Sequence, residues 1–330
     1  MKKRFYRRWW FLLLAVLLLL AAAGAIVWSS STVLQERMIG FVCSLGSNGT
    51  RGGTNASVRL LGEDVSYGSR FDKGDMDVYA KRSDINQPLV VYAHGGYYVG
   101  GDKSSMADYC QTLASYGFVV ASLNYMLAPE GRFPTQILQV NEAIGYLVDH
   151  AAEYGIDTDR VFIAGDSAGG HLASQMGLYY TNPAFREEIG NAPAIGAGQL
   201  RGVVLHCGYY NTDTVRATGF PMIADSIWMM TGVKDYEGTK DANLMNTVAQ
   251  VTPDYPAVFI DCGDQDPFIT QAQEMIAALE QNGIGVTSYL PVTDKFPLTH
   301  EFQMQMSLPE AQEAMERLAG FLGERGKKAK

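Results

Sequence analysis

Val161-Phe162-Ile163-Ala164-Gly165-Asp166-Ser167-Ala168-Gly169-Gly170 carries an apolar run across one sharp turn into a helical stretch. G-x-S-x-G between a strand and a helix sets a serine at the tip of a tight bend. The turn needs glycines because it is strained and packed closely against its neighbours. Its geometry thrusts the Ser167 hydroxyl over the strand ends. The Ala168 N–H points into the same space, at the positive end of the following helix. As a bare pattern G-x-S-x-G is common by chance, but in this setting, with Gly170 added, it marks Ser167 as a nucleophile.

Outward from this turn the chain alternates. Strand-like runs occupy 77–80, 89–93, 118–124, 161–164, 203–207, 257–261 and 286–290, most of them nearly continuous in Val, Ile, Leu and Phe. Such runs suit parallel strands covered on both faces. Between them, 106–116, 134–154, 169–180, 271–282 and 309–325 place apolar residues at helical spacing. The alternation predicts an α/β fold with a doubly wound, mostly parallel sheet. One interval, 208–256, is too long for a simple crossover and holds Phe220, Met222, Trp228, Met229 and Met230. It suits a small cap over the site, or a pair of surface helices.

A serine hydroxyl needs a base, and the chain has five histidines. His94 precedes the serine, His150 lies mid-helix, and His171 sits four residues beyond Ser167 on the same helix. No acid-bearing strand separates His206 from the serine. His300 follows the last strand, and it alone completes the order Ser, acid, His. The acid belongs in the loop Cys262-Gly263-Asp264-Gln265-Asp266-Pro267-Phe268. Asp266 is favoured because Pro267 stiffens the backbone beside it; Asp264 is the alternative. Donors for a developing oxyanion are expected after the strand 89–93, in His94-Gly95-Gly96-Tyr97-Tyr98. Glycine there lets backbone amides approach a substrate. The expected hole is Gly95, Gly96 and Ala168, with Tyr97 a further candidate, and Tyr97 and Tyr98 are expected to contact the substrate.

These pieces resemble the hormone-sensitive-lipase-like branch of the α/β hydrolases and the related acylaminoacyl-peptidase and feruloyl-esterase-like carboxylesterases. The likeness rests on His94-Gly95-Gly96, on Asn124-Tyr125-Met126-Leu127-Ala128-Pro129-Glu130 and on Phe133-Pro134. Gly165 through His171, Asp266-Pro267-Phe268 and His300 complete it. The resemblance implies an eight-stranded sheet and hydrolysis of small carboxylic esters with short acyl groups, without metal or organic cofactor. It carries the roles of nucleophile, acid and base onto Ser167, Asp266 and His300. Two residues depart from the family pattern: Tyr97 replaces the third glycine of HGGG, and Glu301 replaces the glycine after the histidine. The same triad also serves a serine peptidase or a carbohydrate deacetylase, and the fold also serves non-catalytic binding modules.

Charge and hydropathy set the surroundings. A formal net charge of −9 over 330 residues argues against a nucleic-acid partner. Lys2, Lys3, Arg4, Arg7 and Arg8 precede an uncharged run, 9–28, of membrane-spanning length. This predicts a basic cytoplasmic tip (1–8), one transmembrane anchor (9–28), a stalk and covering segment (29–70) and an extracytoplasmic catalytic domain (71–330). A cleaved signal peptide, giving a secreted protein, is the rival. Four cysteines are too few for a disulfide framework. Cys207 and Cys262 read as buried thiols, and no CxxC or His-rich cluster suggests a metal site.

Overall fold

Leu89, Val91 and Ala93 join one buried cluster while Val90 and Tyr92 of the same strand join another. None of the five is more than 1% exposed. Successive side chains point to opposite faces of a sheet, so this strand is covered on both sides, as its unbroken apolar run requires. The computed structural model describes residues 32–45, 55–81 and 86–327, with Leu14, Val16 and Leu17 ahead of them.

Eight strands form one sheet: β1 Val58–Ser66, β2 Asp75–Lys81, β3 Gln87–Ala93, β4 Val119–Leu123, β5 Ile156–Asp166, β6 Leu200–His206, β7 Val258–Asp261 and β8 Val286–Tyr289. Their order is β1-β2-β4-β3-β5-β6-β7-β8. β2 runs antiparallel to β1 and β4, and the remaining pairs are parallel. The labelled helices are α1 Thr32–Leu45, α2 Ala107–Ser115, α3 Thr135–Asp149, α4 Ala168–Thr181, α5 Pro183–Ile189, α6 Ile223–Thr231, α7 Lys240–Met245, α8 Ile269–Gln281 and α9 Pro309–Arg325. Leu113 of α2 and Leu318 and Phe321 of α9 pack with Val90 and Tyr92. Ile144 of α3, Leu172 of α4 and Met275 of α8 pack on the opposite face. The expected doubly wound sheet is present. Its direction of winding reverses at β3, which lies between β4 and β5, and a crevice opens at such a point beyond the strand ends.

Two differences from the sequence reading concern the N-terminal side. Residues 58–66, assigned there to a covering segment, form the edge strand β1. Its residues are half-buried or exposed, and its register slips around Gly62, so it lacks the apolar period that reveals the other strands. The proposed anchor, 9–28, and the basic tip, 1–8, lie outside the described residues apart from Leu14, Val16 and Leu17. Among the described residues no helix is long and apolar enough to cross a membrane. The start of the sheet is tied down by charge: buried Lys103 meets Asp64, Asp75 at 3.3 Å and Asp77 at 3.0 Å.

Phe162 of β5 is fully buried, with its ring centroid 6.5 Å from that of Phe321 of α9. Phe162→Ala is expected to destabilise the fold by about 3–5 kcal/mol. A denaturant titration checks this, reading a lower midpoint with an unchanged slope.

Candidate active site

Register brings the site together. Ala93 pairs with Gly165, Asp166 with His206, and His206 with Asp261, so β3, β5, β6 and β7 end level with one another. Between β5 and α4, Ser167 holds φ 52 and ψ −115, a strained conformation costing on the order of 1–3 kcal/mol. The surroundings hold it there. Its N–H donates to His206 O at 2.8 Å. A Cβ on Gly169 would strike Ala93 O, and one on Gly165 would strike Gly169 O.

His300 reaches this serine from the loop after β8. Its Nε2 lies 3.0 Å from Ser167 Oγ, and its Nδ1 lies 2.8 Å from Asp266 Oδ2. Asp266 is 1% exposed, and its Oδ1 accepts the Phe268 N–H at 2.8 Å. Of the two acids in this loop, Asp266 is the one that meets His300. Asp264 faces the other way, accepting the Leu298 N–H at 3.2 Å, while Gln265 N–H donates to Leu298 O at 3.1 Å. Burial alone would lower the His300 pKa. The Asp266 hydrogen bond and charge, with a further contribution from Glu301, outweigh it and raise the pKa above the ordinary value.

The loop after β3 differs from expectation at two positions. Gly95 was assigned to the oxyanion hole, but its N–H donates to Asp166 Oδ2 at 3.0 Å and is therefore occupied. The amides of Gly96 and Ala168 have no acceptor among the described residues. Ala168 opens α4, where the first N–H groups have no intrahelical partner. Tyr98 was expected to contact substrate, yet it is fully buried and its hydroxyl lies 2.8 Å from His171 Nδ1. His171 Nε2 faces Met245 O at 2.8 Å, so that nitrogen carries the proton and Tyr98 donates. Burial lowers the His171 pKa to about 4, which keeps this arrangement neutral. Tyr97 is half-buried beside the site. Its carbonyl accepts Ser226 Oγ at 2.6 Å, and its ring centroid lies 5.4 Å from that of Phe220.

Phe220 belongs to the long interval singled out in the sequence, and it packs 4.7 Å from the His300 ring and 4.3 Å from Phe268. Trp228, Met229 and Met230 of α6 are buried in the same interval. His206 was set aside as a base, and it forms a second buried pair instead. Its Nδ1 lies 2.8 Å from Asp261 Oδ1, and its Nε2 lies 2.9 Å from Tyr109 OH. The ligand atoms of Cys207, Asp266 and His300 come within 4.8 Å of one another. Those of Asp266 and His300 are engaged with each other, and Gln303 Nε2 donates to Cys207 Sγ at 3.0 Å. Cys110, Cys207 and Cys262 are buried free thiols. Phe268, 5.4 Å from the His300 ring, and Asp166, which takes the Gly95 N–H, also belong to the site, though residue type and order alone give no sign of it.

The constellation can move a proton from a serine hydroxyl through an imidazole oriented by a buried carboxylate. Residues 76–279, well over half of the chain, match the BD-FAE family. The chain is similar to the probable carboxylic ester hydrolase LipM of Mycobacterium tuberculosis, 26% identical over 76% of this chain and 58% of that protein. Esterase LipQ of the same organism is 24% identical over 79% of this chain and 61% of its own length. The chain thus spans about three-fifths of these relatives. Among solved structures, esterase B from Lactobacillus rhamnosis, inhibited by a tributyrin phosphonate, superposes with a TM-score of 0.74 at 23% identity. That match covers 93% of this chain and 96% of esterase B. A bacterial heroin esterase gives 0.68 at 21%, covering 91% and 92%. At these identities the two structures speak for the fold.

Tyr98→Phe removes the donor to His171 and is expected to cost about 1–3 kcal/mol of stability. Thermal unfolding checks this, and reactivity at Ser167 is expected to survive, since the Tyr98 hydroxyl engages His171 rather than the Ser167–His300–Asp266 contacts.

Proposed function

The chain belongs to the BD-FAE family, within the hormone-sensitive-lipase-like branch of the α/β hydrolases, and from that premise we propose that it hydrolyses carboxylic esters of short acyl chains through an acyl-enzyme. The observation that carries this reading is the continuous contact from Ser167 Oγ through His300 to Asp266, at 3.0 and 2.8 Å. Ser167 attacks the acyl carbonyl as His300 Nε2 takes its proton, and Asp266 stabilises the imidazolium so formed. The tetrahedral oxyanion rests on the Gly96 and Ala168 amides. His300 returns the proton to the leaving alcohol, and the acyl group stays on Ser167. Water then attacks the acyl-enzyme with His300 again as base, releasing the acid and restoring the serine.

Short acyl chains are favoured by the crowding of Phe220, Tyr97 and Phe268 near His300. Esterase B, which shares the fold, is inhibited by a phosphonate related to a butyryl ester. LipM and LipQ are described as ester hydrolases. The apolar run 9–28 behind a basic tip supports a membrane tether with the catalytic domain outside the cytoplasm.

A fluorophosphonate probe is expected to label the unmutated chain and to leave Ser167→Ala unlabelled; labelling that persists in the variant sinks this nucleophile. Assayed on acetyl, butyryl and longer aryl esters beside small peptides, kcat/KM is expected to be highest for the shortest esters. Asp266→Asn is expected to lower kcat by about 10⁴-fold, whereas Asp264→Asn, which alters only the Leu298 contact, is expected to lower it far less. Because attack requires neutral imidazole and the His300 pKa is raised from 6.5, kcat/KM is expected to rise with pH through a midpoint above that value. A stopped-time assay across pH checks the position of this limb.

A further inference from the structure

Glu301 follows His300 directly and holds a left-handed backbone, φ 59. That region costs a residue with a side chain about 1–2 kcal/mol, a cost that glycine avoids. An outlier kept at such a place is a reason to ask what its side chain does. The Glu301 carboxylate turns back into the site, with Oε1 3.8 Å from His300 Nε2. It also lies beside Gly95: a Cβ built there would come within 3.1 Å of Glu301 Oε1 and would strike Asp166 Oδ2. The missing side chain of Gly95 is thus the space in which two carboxyl groups meet.

Both carboxyl oxygens come within 3.1 Å of that one Cβ position, so the two groups face each other at close range. Like charges held this close in a buried space disfavour ionising both groups, so a proton on one of them stabilises the pair. Asp166 is the more deeply buried partner, 1% exposed, and its oxygens accept from Tyr92 OH at 2.9 Å and Gly95 N–H at 3.0 Å. Burial first, and the Glu301 charge second, push Asp166 well above the usual carboxylate range.

We propose that Asp166 and Glu301 share one proton and so latch the histidine loop to the serine turn and the oxyanion loop, making Glu301 a positioning residue for His300. This rests on the hydrolase reading above. The latch spans the loop after β3 through Gly95, the end of β5 through Asp166 and the loop after β8 through Glu301. Around it stand Tyr92 of β3, Tyr109 and Cys110 of α2, Tyr125 after β4 and Cys207 after β6, all held neutral by burial. His206 stands beside Asp166 on β6, paired with Asp261 and Tyr109. His300 is the neighbour whose charge changes during turnover. When pH rises far enough to remove the shared proton, two like charges face each other in a buried space and the latch parts.

The test is the pH profile of ester hydrolysis in the full chain. Glu301→Ala cuts the latch and is expected to lower kcat by up to about 100-fold, the effect of a small displacement of the base. Glu301→Gln still donates a hydrogen bond to an ionised Asp166 and is expected to recover most of that loss. In this amide variant the high-pH limb moves to higher pH, because no second charge appears. Its low-pH limb moves to lower pH, because His300 loses the support of the Glu301 charge. A purely steric role leaves both limbs where they were, and that result overturns the proposal. A second readout needs no activity. At neutral pH the infrared spectrum of Ser167→Ala should hold the carbonyl stretch of a buried neutral carboxyl, lost on adding Asp166→Asn; its absence before that change also overturns the pair. If the unmutated chain cleaves no ester and takes no fluorophosphonate, the hydrolase reading fails while the infrared band still decides the carboxyl pair.

Discussion

The close passage of α4 across the end of β3 is the contact on which the site depends. Gly169 lies against the carbonyl of Ala93 so tightly that a single methyl group would part them. That approach bends the chain at Ser167, and the bend brings the serine oxygen 3.0 Å from the His300 ring, on a loop more than a hundred residues away. The same approach sets the loop after β3 beside the serine turn, where Gly95 N–H meets the Asp166 carboxyl. The positions of the Ser167 hydroxyl and of the loop after β3 are therefore consequences of one packing distance.

Much of this was legible because it rests on residue type and order. Strands covered on both faces need apolar runs, and seven of the eight strands showed such runs, most of them nearly continuous. His300 could be found by counting, since an imidazole must follow both the serine and the acid. What remained hidden depends on direction. Sequence cannot say which way an amide points, so Gly95 was assigned to a substrate when its hydrogen belongs to Asp166. Tyr98 follows Tyr97 in the chain but turns inward, towards His171. Two acids two residues apart in one loop face opposite partners, Asp266 to the imidazole and Asp264 to a backbone amide. β1 was invisible because an exposed, bulged edge strand has no reason to keep an apolar period.

The polar interior is organised by proton economy. His94 and His171 are buried, with pKa values lowered to about 4 by burial, and each takes a backbone carbonyl as partner. They brace loops without bringing charge. His300 is the contrast: against its burial, the Asp266 carboxylate raises its pKa, so a proton on this imidazole is stabilised.

Leu298 is fastened through both its amide and its carbonyl to the loop that bears Asp266. His300 therefore takes its position from the loop that bears Asp266 rather than from the strand that precedes it. Residues 291–297 form a closed excursion between two fixed ends, with Val292 exposed at 83%. Because the entropy of closing such a loop grows slowly with its length, this excursion can lengthen or shorten over evolutionary time without moving His300. A lineage can thus rebuild the rim of the site while its chemistry stays in register.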